Sequence, residues 1–122
     1  MSIVVKRVDD QAAPDDGYRV LVDRLWPRGL SHAVARVDLW LRDVAPSTEL
    51  RRWYDHRVER WPEFQKRYTA ELEDDAQLLD LLLDIERHRQ RVTLLFAARE
   101  RERNEAQVLA DVLRRRPGHS HR

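Results

Sequence analysis

The sequence predicts a single α/β domain in which a small parallel or mixed sheet of three to four strands is flanked by helices. Three short apolar runs, at residues 3–8, 18–23 and 92–96, have the length and composition of strands. The segments between the second and third runs carry apolar residues three and four positions apart, which is typical of helices. Because 122 residues suffice for one domain, we predict that it spans residues 1–116.

Turn-forming residues delimit the elements in the first half of the chain. Pro14 and Gly17 mark a loop between the first two strands. After the second strand, Ser31 can cap a short helix. Apolar residues then alternate over residues 37–44 as in a strand, but Trp40 breaks the alternation, so the pattern does not decide whether this segment is a strand.

Helices are predicted for most of the second half. Ser47 is the predicted N-cap of a helix of about two turns. Apolar and aromatic residues at helical spacing predict a helix over residues 61–72 and another over residues 78–85. A final amphipathic helix follows the third strand, over residues 103–115, and we expect residues 117–122 to form a disordered tail.

Composition and charge exclude several classes of protein. The 23 basic and 22 acidic residues leave a net charge of +1, which by itself recruits neither nucleic acid nor a membrane surface. The absence of cysteine excludes thiol nucleophiles, disulfides and cysteine-ligated metal centres. No signal peptide precedes the first strand and no apolar run approaches the roughly 18 residues that span a bilayer, so we expect a cytoplasmic protein. No metal-ligand spacing or glycine-rich phosphate loop indicates a cofactor.

Charged side chains follow two of the predicted strands. Asp23 and Arg24 end the second strand, and Arg99 comes shortly after the strand at residues 92–96. If these strands are parallel neighbours, about 4.8 Å apart, both guanidinium groups can reach one oxyanion. Alternatively, each arginine pairs with Asp23 or Asp38 and only stabilises its loop.

The turn after the second strand and the helix after it add further candidates. Trp26 can form a wall of a pocket, and Arg28 lies beside Gly29, where a backbone can approach a ligand closely. Ser47 offers a hydroxyl and helix-start amides to an anion, although helix capping explains it equally well. His56 can act as a general acid or base near neutral pH, or be a surface residue.

Several of these stretches together resemble the YeaO-like bacterial family of unknown function. The stretches are residues 20–31, 37–41, 45–53, 60–64, 68–72 and 92–99. The resemblance implies a cytoplasmic α/β domain with no established reaction. The family pattern corresponds here to Asp23, Arg24, Trp26, Pro27, Arg28, Gly29, Asp38, Trp40, Ser47, His56, Arg99 and Asn104. Relatives usually have aspartate where this chain has Glu100 and histidine where it has Arg103, so a mechanism that needs that histidine fails here.

The sequence therefore predicts an arginine-lined pocket at the carboxyl ends of the sheet, for a small molecule that bears phosphate or carboxylate. The predicted ligand-binding residues are Arg24, Trp26, Arg28, Gly29, Ser47, Arg99 and Asn104. Asp23 and His56 are the candidates for proton transfer. Two alternatives are a nucleic-acid-associated module that uses the same arginines and indoles, and a protein-interaction domain without a pocket.

Overall fold

The computed structural model describes residues 2–117 and contains four strands and five α-helices within that range. The strands are β1 (Ser2–Arg7), β2 (Tyr18–Leu21), β3 (Leu39–Trp40) and β4 (Arg91–Phe96). The helices are α1 (His32–Ala35), α2 (Thr48–Tyr54), α3 (Trp61–Glu73), α4 (Ala76–Arg89) and α5 (Glu105–Arg115). Single 3₁₀ turns occupy Pro14–Asp16, Arg42–Val44 and Val58–Arg60.

The four strands form one parallel sheet in the order β1-β4-β2-β3, which confirms the predicted fold class. Strand β4 lies between β1 and β2, and its residues from Val92 to Phe96 are buried. A strand covered on both faces has no solvent-facing positions, which explains its continuous apolar run. Leu21 of β2 pairs with Leu95 of β4, so the carboxyl ends of these two strands are neighbours.

The helices α3, α4 and α5 cover one face of the sheet and form the main core with it. Val20 and Val22 contribute from the β2 side and Leu94 and Phe96 from β4. Tyr68 of α3 is fully buried, and its hydroxyl donates a 2.7 Å hydrogen bond to the Val44 carbonyl. This bond ties the helical layer to the segment that leads into α2.

The opposite face of the sheet is half polar and half apolar. Towards the amino ends of the strands, Asp16 accepts hydrogen bonds from Lys6 and from the buried Arg19. Towards the carboxyl ends, Leu21 and Leu95 are buried beneath the segment that connects β2 to β3. Burial disfavours ionisation of Asp16, but hydrogen bonds from the Ala13 amide and from Lys6 and Arg19 more than offset it and lower its pKa.

Some predicted boundaries differ from the structure. Strand β2 ends at Leu21 instead of residue 23, although the Val22 amide still donates to the Leu95 carbonyl at 3.1 Å. The undecided segment 37–44 holds only a two-residue strand followed by a 3₁₀ turn. The last helix begins at Glu105, two residues later than predicted, because the Asn104 side chain caps it. Most of the predicted tail, residues 118–122, lies outside the described range.

Candidate functional site

A cleft of about 810 Å³ opens at the carboxyl end of the sheet, within the size range of small-molecule sites. Three segments form it: the residues that follow β2, the loop between β4 and α5, and helix α2 with the turn after it. Its arginines are Arg24, Arg51, Arg52, Arg99 and Arg103. Its apolar residues are Leu25, Pro46, Val58, Phe64 and Ala98. The other lining residues are Thr48, Tyr54, Asp55, His56, Glu100, Asn104 and Glu105.

Arg24 is held in a fixed position by neutral groups. Its Nη2 donates to the backbone carbonyls of Ala45, at 3.4 Å, and Pro46, at 3.0 Å. Its Nε is buried and makes no hydrogen bond within residues 2–117, and no salt bridge there neutralises the guanidinium group. A buried N–H without an acceptor costs about 1–3 kcal/mol, so an acceptor that reaches Arg24 would be bound favourably.

Arg99 lies on the loop that follows β4, and the rest of that loop is firmly attached. The Ala98 carbonyl accepts a 3.0 Å hydrogen bond from Arg7 Nε. Arg101 donates two 2.9 Å hydrogen bonds to Asp10, which hold the pKa of Asp10 at about 2. Arg99 itself is exposed and has no hydrogen bond or ion pair within the described residues. The Arg99 guanidinium group therefore lies on an anchored loop and is available to a ligand.

A pair of carboxyl groups lies beneath the arginines. Asp23 Oδ2 accepts a 3.2 Å hydrogen bond from the Ala97 amide, which joins the ends of β2 and β4. Asp23 also lies within hydrogen-bonding reach of Glu105 of α5, and Asp23 Oδ1 and Glu105 Oε2 are shielded from solvent without a donor within residues 2–117. Burial, together with the hydrogen bond and charge of Asp23, raises the pKa of Glu105 well above its usual value. Burial and the neighbouring Asp23 therefore favour the protonated form of Glu105.

Helix α2 ends in an uncommon backbone conformation at the edge of the cleft. Asp55 and His56 both have positive φ angles, of 48° and 55°, which few non-glycine residues adopt. This double left-handed turn brings His56 into the lining of the cleft. Tyr54, in the last turn of the helix, lies 4.6 Å from Phe64 between ring centroids, and burial raises the pKa of Tyr54, so its phenol stays protonated.

Comparison with known proteins assigns the chain to a family. The family described as "Inactive DUF488-N3 subclade" matches residues 2–121. The chain belongs to this subclade. It is 45% identical over 114 residues to the uncharacterized protein YeaO of Escherichia coli K12, which covers 93% of this chain and 98% of YeaO. It is 49% identical over 109 residues to uncharacterized proteins of Mycobacterium tuberculosis and Mycobacterium bovis, covering 89% of this chain and 91% of each relative.

These relatives confirm the resemblance to YeaO-like proteins that the sequence indicated. No solved structure matches the chain. Within residues 2–117, no helix is long and apolar enough to cross a membrane, and no three metal-binding side chains are grouped to hold an ion.

Glu100 and Arg103, on the loop between β4 and α5, interact with each other. Arg103 Nη2 lies 3.4 Å from Glu100 Oε1. Glu100 Oε2 accepts hydrogen bonds from the Glu102 and Arg103 amides, and these bonds lower the pKa of Glu100. Asn104 completes the loop, since its Nδ2 donates to the Glu100 carbonyl and its Oδ1 caps α5. The Glu100–Arg103 pair thus shapes the loop that carries Arg99.

The structure brings together four of the residues predicted for the site. Arg24, Arg99, His56 and Asn104 all line the cleft. Asp23 lies directly beneath it through its contact with Glu105. No sequence pattern singles out Glu105, because an acidic residue in the first turn of a helix is commonplace.

Four other predicted residues lie outside the cleft lining. Trp26 stacks on His32, with ring centroids 4.0 Å apart, on the second face of the sheet. Arg28 and Gly29 are exposed in the turn beyond Trp26. Ser47 caps α2 by accepting from the Leu50 amide at 3.2 Å, and its hydroxyl donates to Glu71 at 2.6 Å. Leu25 lines the cleft whereas the next residue, Trp26, packs on the second face of the sheet.

Proposed function

We propose that this DUF488-N3 protein binds a small molecule bearing phosphate or carboxylate in the cleft at the carboxyl end of its sheet. The observation that carries the proposal is the placement of Arg24 and Arg99. They follow two directly paired strands, they line one cleft, and within residues 2–117 neither forms a salt bridge. Guanidinium groups bind oxyanions with two parallel hydrogen bonds, so this pair suits an anionic group.

The two arginines would have different roles. Arg24 is already held by the Ala45 and Pro46 carbonyls, so little side-chain entropy is lost when it binds. Arg99 is free to adjust to the ligand. Burial and Asp23 favour the protonated form of Glu105, which reduces the negative charge beneath the arginines and favours an anion further.

The description of this subclade as inactive supports binding without turnover. His56 and Asn104 would then be polar contacts of the ligand, and Asp23 would position its surroundings. We also propose that the protein is cytoplasmic, as expected from the sequence.

The packing of the four tryptophan side chains favours this proposal over a nucleic-acid-binding module. Stacking of bases requires accessible rings. Trp26 and Trp40 pack on each other, with ring centroids 5.7 Å apart. Trp53 lies under the Arg67 guanidinium group at 4.3 Å, and Trp61 stacks on Phe64. All four indoles are partly buried.

Titration of inorganic phosphate into the ¹⁵N-labelled protein at low salt tests the proposal. We expect the amides of residues 98–105 to shift in the wild type and Arg99→Ala to weaken binding by about 10-fold or more, the value of one charged hydrogen bond. Arg89→Ala is the matched control, because Arg89 lies over Tyr18 at the opposite end of the sheet. Absence of shifts at tens of millimolar phosphate, or equal weakening by both variants, would refute the proposal.

A further inference from the structure

The cleft also contains large apolar side chains that are exposed to solvent. Among residues 2–117, the exposed large apolar side chains are Leu25 (73% exposed), Val34 (74%), Val58 (52%) and Leu81 (40%). Leu25 and Val58 both line the cleft, on the segment after β2 and on the turn after α2. Single exposed apolar residues are ordinary, but two at one concave site favour a ligand that covers them.

Two aromatic side chains that are fixed by packing lie next to Leu25 and Val58 in the cleft lining. Phe64 of α3 and Tyr54 of α2 both line the cleft, with their rings tilted by 33° at 4.6 Å. Phe64 is itself held between Trp61, at 5.4 Å, and Tyr68, at 5.8 Å. Phe64 is only 4% exposed, so it fixes the partly buried Tyr54 ring, which offers apolar contact area with little loss of side-chain entropy on binding.

The size of the cleft and its charge indicate which ligand fits both surfaces. A cleft of about 810 Å³ is much larger than an inorganic phosphate requires and matches an organic molecule. Its arginines favour an anionic group, whereas the exposed Leu25 and Val58 favour an apolar body. A purely polar metabolite would leave these two apolar side chains in water.

We infer that the ligand is an amphipathic anion, a phosphate monoester or carboxylate joined to an aryl or short alkyl body. The anionic group contacts Arg24 and Arg99, and the body covers Leu25 and Val58 against Phe64. The inference rests on the proposed function and adds to it the chemical class of the uncharged part of the ligand.

The affinity ratio of phenyl phosphate to inorganic phosphate tests the inference. We expect the wild type to bind phenyl phosphate at least about 10-fold more tightly, because the ring removes apolar surface from water. In the double variant Leu25→Ser, Val58→Ser this ratio should fall to about one. Val34→Ser removes an equally exposed apolar side chain from α1, outside the cleft, and should leave the ratio unchanged. Circular dichroism of all variants controls for folding.

The outcomes separate this inference from the proposed function. If phosphate and phenyl phosphate bind equally well to the wild type, or if Val34→Ser lowers the ratio as much as the double variant, the inference is refuted and the anion site stands. If phenyl phosphate binds with the same affinity to the wild type and to Arg99→Ala, the anion site is refuted. Absence of binding by both compounds refutes both.

Discussion

Replacement of Glu105 by glutamine tests the carboxyl pair beneath the cleft. In the folded protein the pKa of Glu105 is raised well above its usual value of 4.5 by burial and by Asp23. The native state therefore retains a proton that the unfolded chain releases. Glutamine has the same shape and can donate to Asp23, but it cannot ionise.

The sign and size of the effect follow from proton linkage. A carboxyl group with a raised folded pKa is most favourable below its unfolded pKa, and its contribution is lost as the pH rises towards the folded value. Above about pH 5.5, the free energy of unfolding of the wild type should fall by up to about 1.4 kcal/mol per pH unit relative to Glu105→Gln. The carboxylates with lowered pKa, Asp10, Asp16 and Glu100, act only at more acidic pH.

Urea unfolding at about pH 5.5, 6.5 and 7.5, followed by tryptophan fluorescence, measures this difference. Contributions from the histidines cancel because both proteins contain them. Glu102→Gln removes an exposed carboxylate from the same loop and serves as the control, with a difference from the wild type that stays constant with pH. If the difference between wild type and Glu105→Gln is also constant over this range, the raised pKa of Glu105 is refuted.

Three further substitutions test the fold by urea unfolding. Gly17→Ala should cost about 3 kcal/mol, because Gly17 has φ +67° and an added Cβ would lie 2.2 Å from the Arg91 carbonyl oxygen. Gly29→Ala, at φ +77° in open space, should cost only about 1–2 kcal/mol, and equal losses would contradict the steric argument. Ser47→Ala should cost about 2–3 kcal/mol, since it removes both the α2 cap and the partner of Glu71. A loss below about 0.5 kcal/mol would show that these bonds contribute little.

The α/β fold could be predicted because each element carries a local signal. The continuous apolar run at residues 92–96 indicated a strand covered on both faces, and β4 lies between β1 and β2. Ser47 indicated the start of α2, and its side chain caps that helix. The sequence pattern left the short strand β3 undecided, because two residues are too few for a clear alternation.

Part of the candidate site was also within reach of the sequence. Arg24 and Arg99 each follow a predicted strand, and the parallel pairing of β2 with β4 places both in one cleft. The role of Glu105 could not be predicted, because its contact with Asp23 joins residues 82 positions apart. The position of Trp26 could not be predicted either, because no local signal indicates on which face of the sheet a turn packs.

The sequence by itself determined the strands, the helices and the two arginines at strand ends, since these depend on periodicity, capping and chain order. Only the tertiary structure decided that Arg24 and Arg99 share a cleft with Leu25, Val58 and Phe64, while Trp26 packs elsewhere. It also decided that Asp23 and Glu105 each bury a carboxyl oxygen at one place, which raises the pKa of Glu105. The physical reason is that burial and charge coupling depend on distances across the fold, which separation along the chain does not specify.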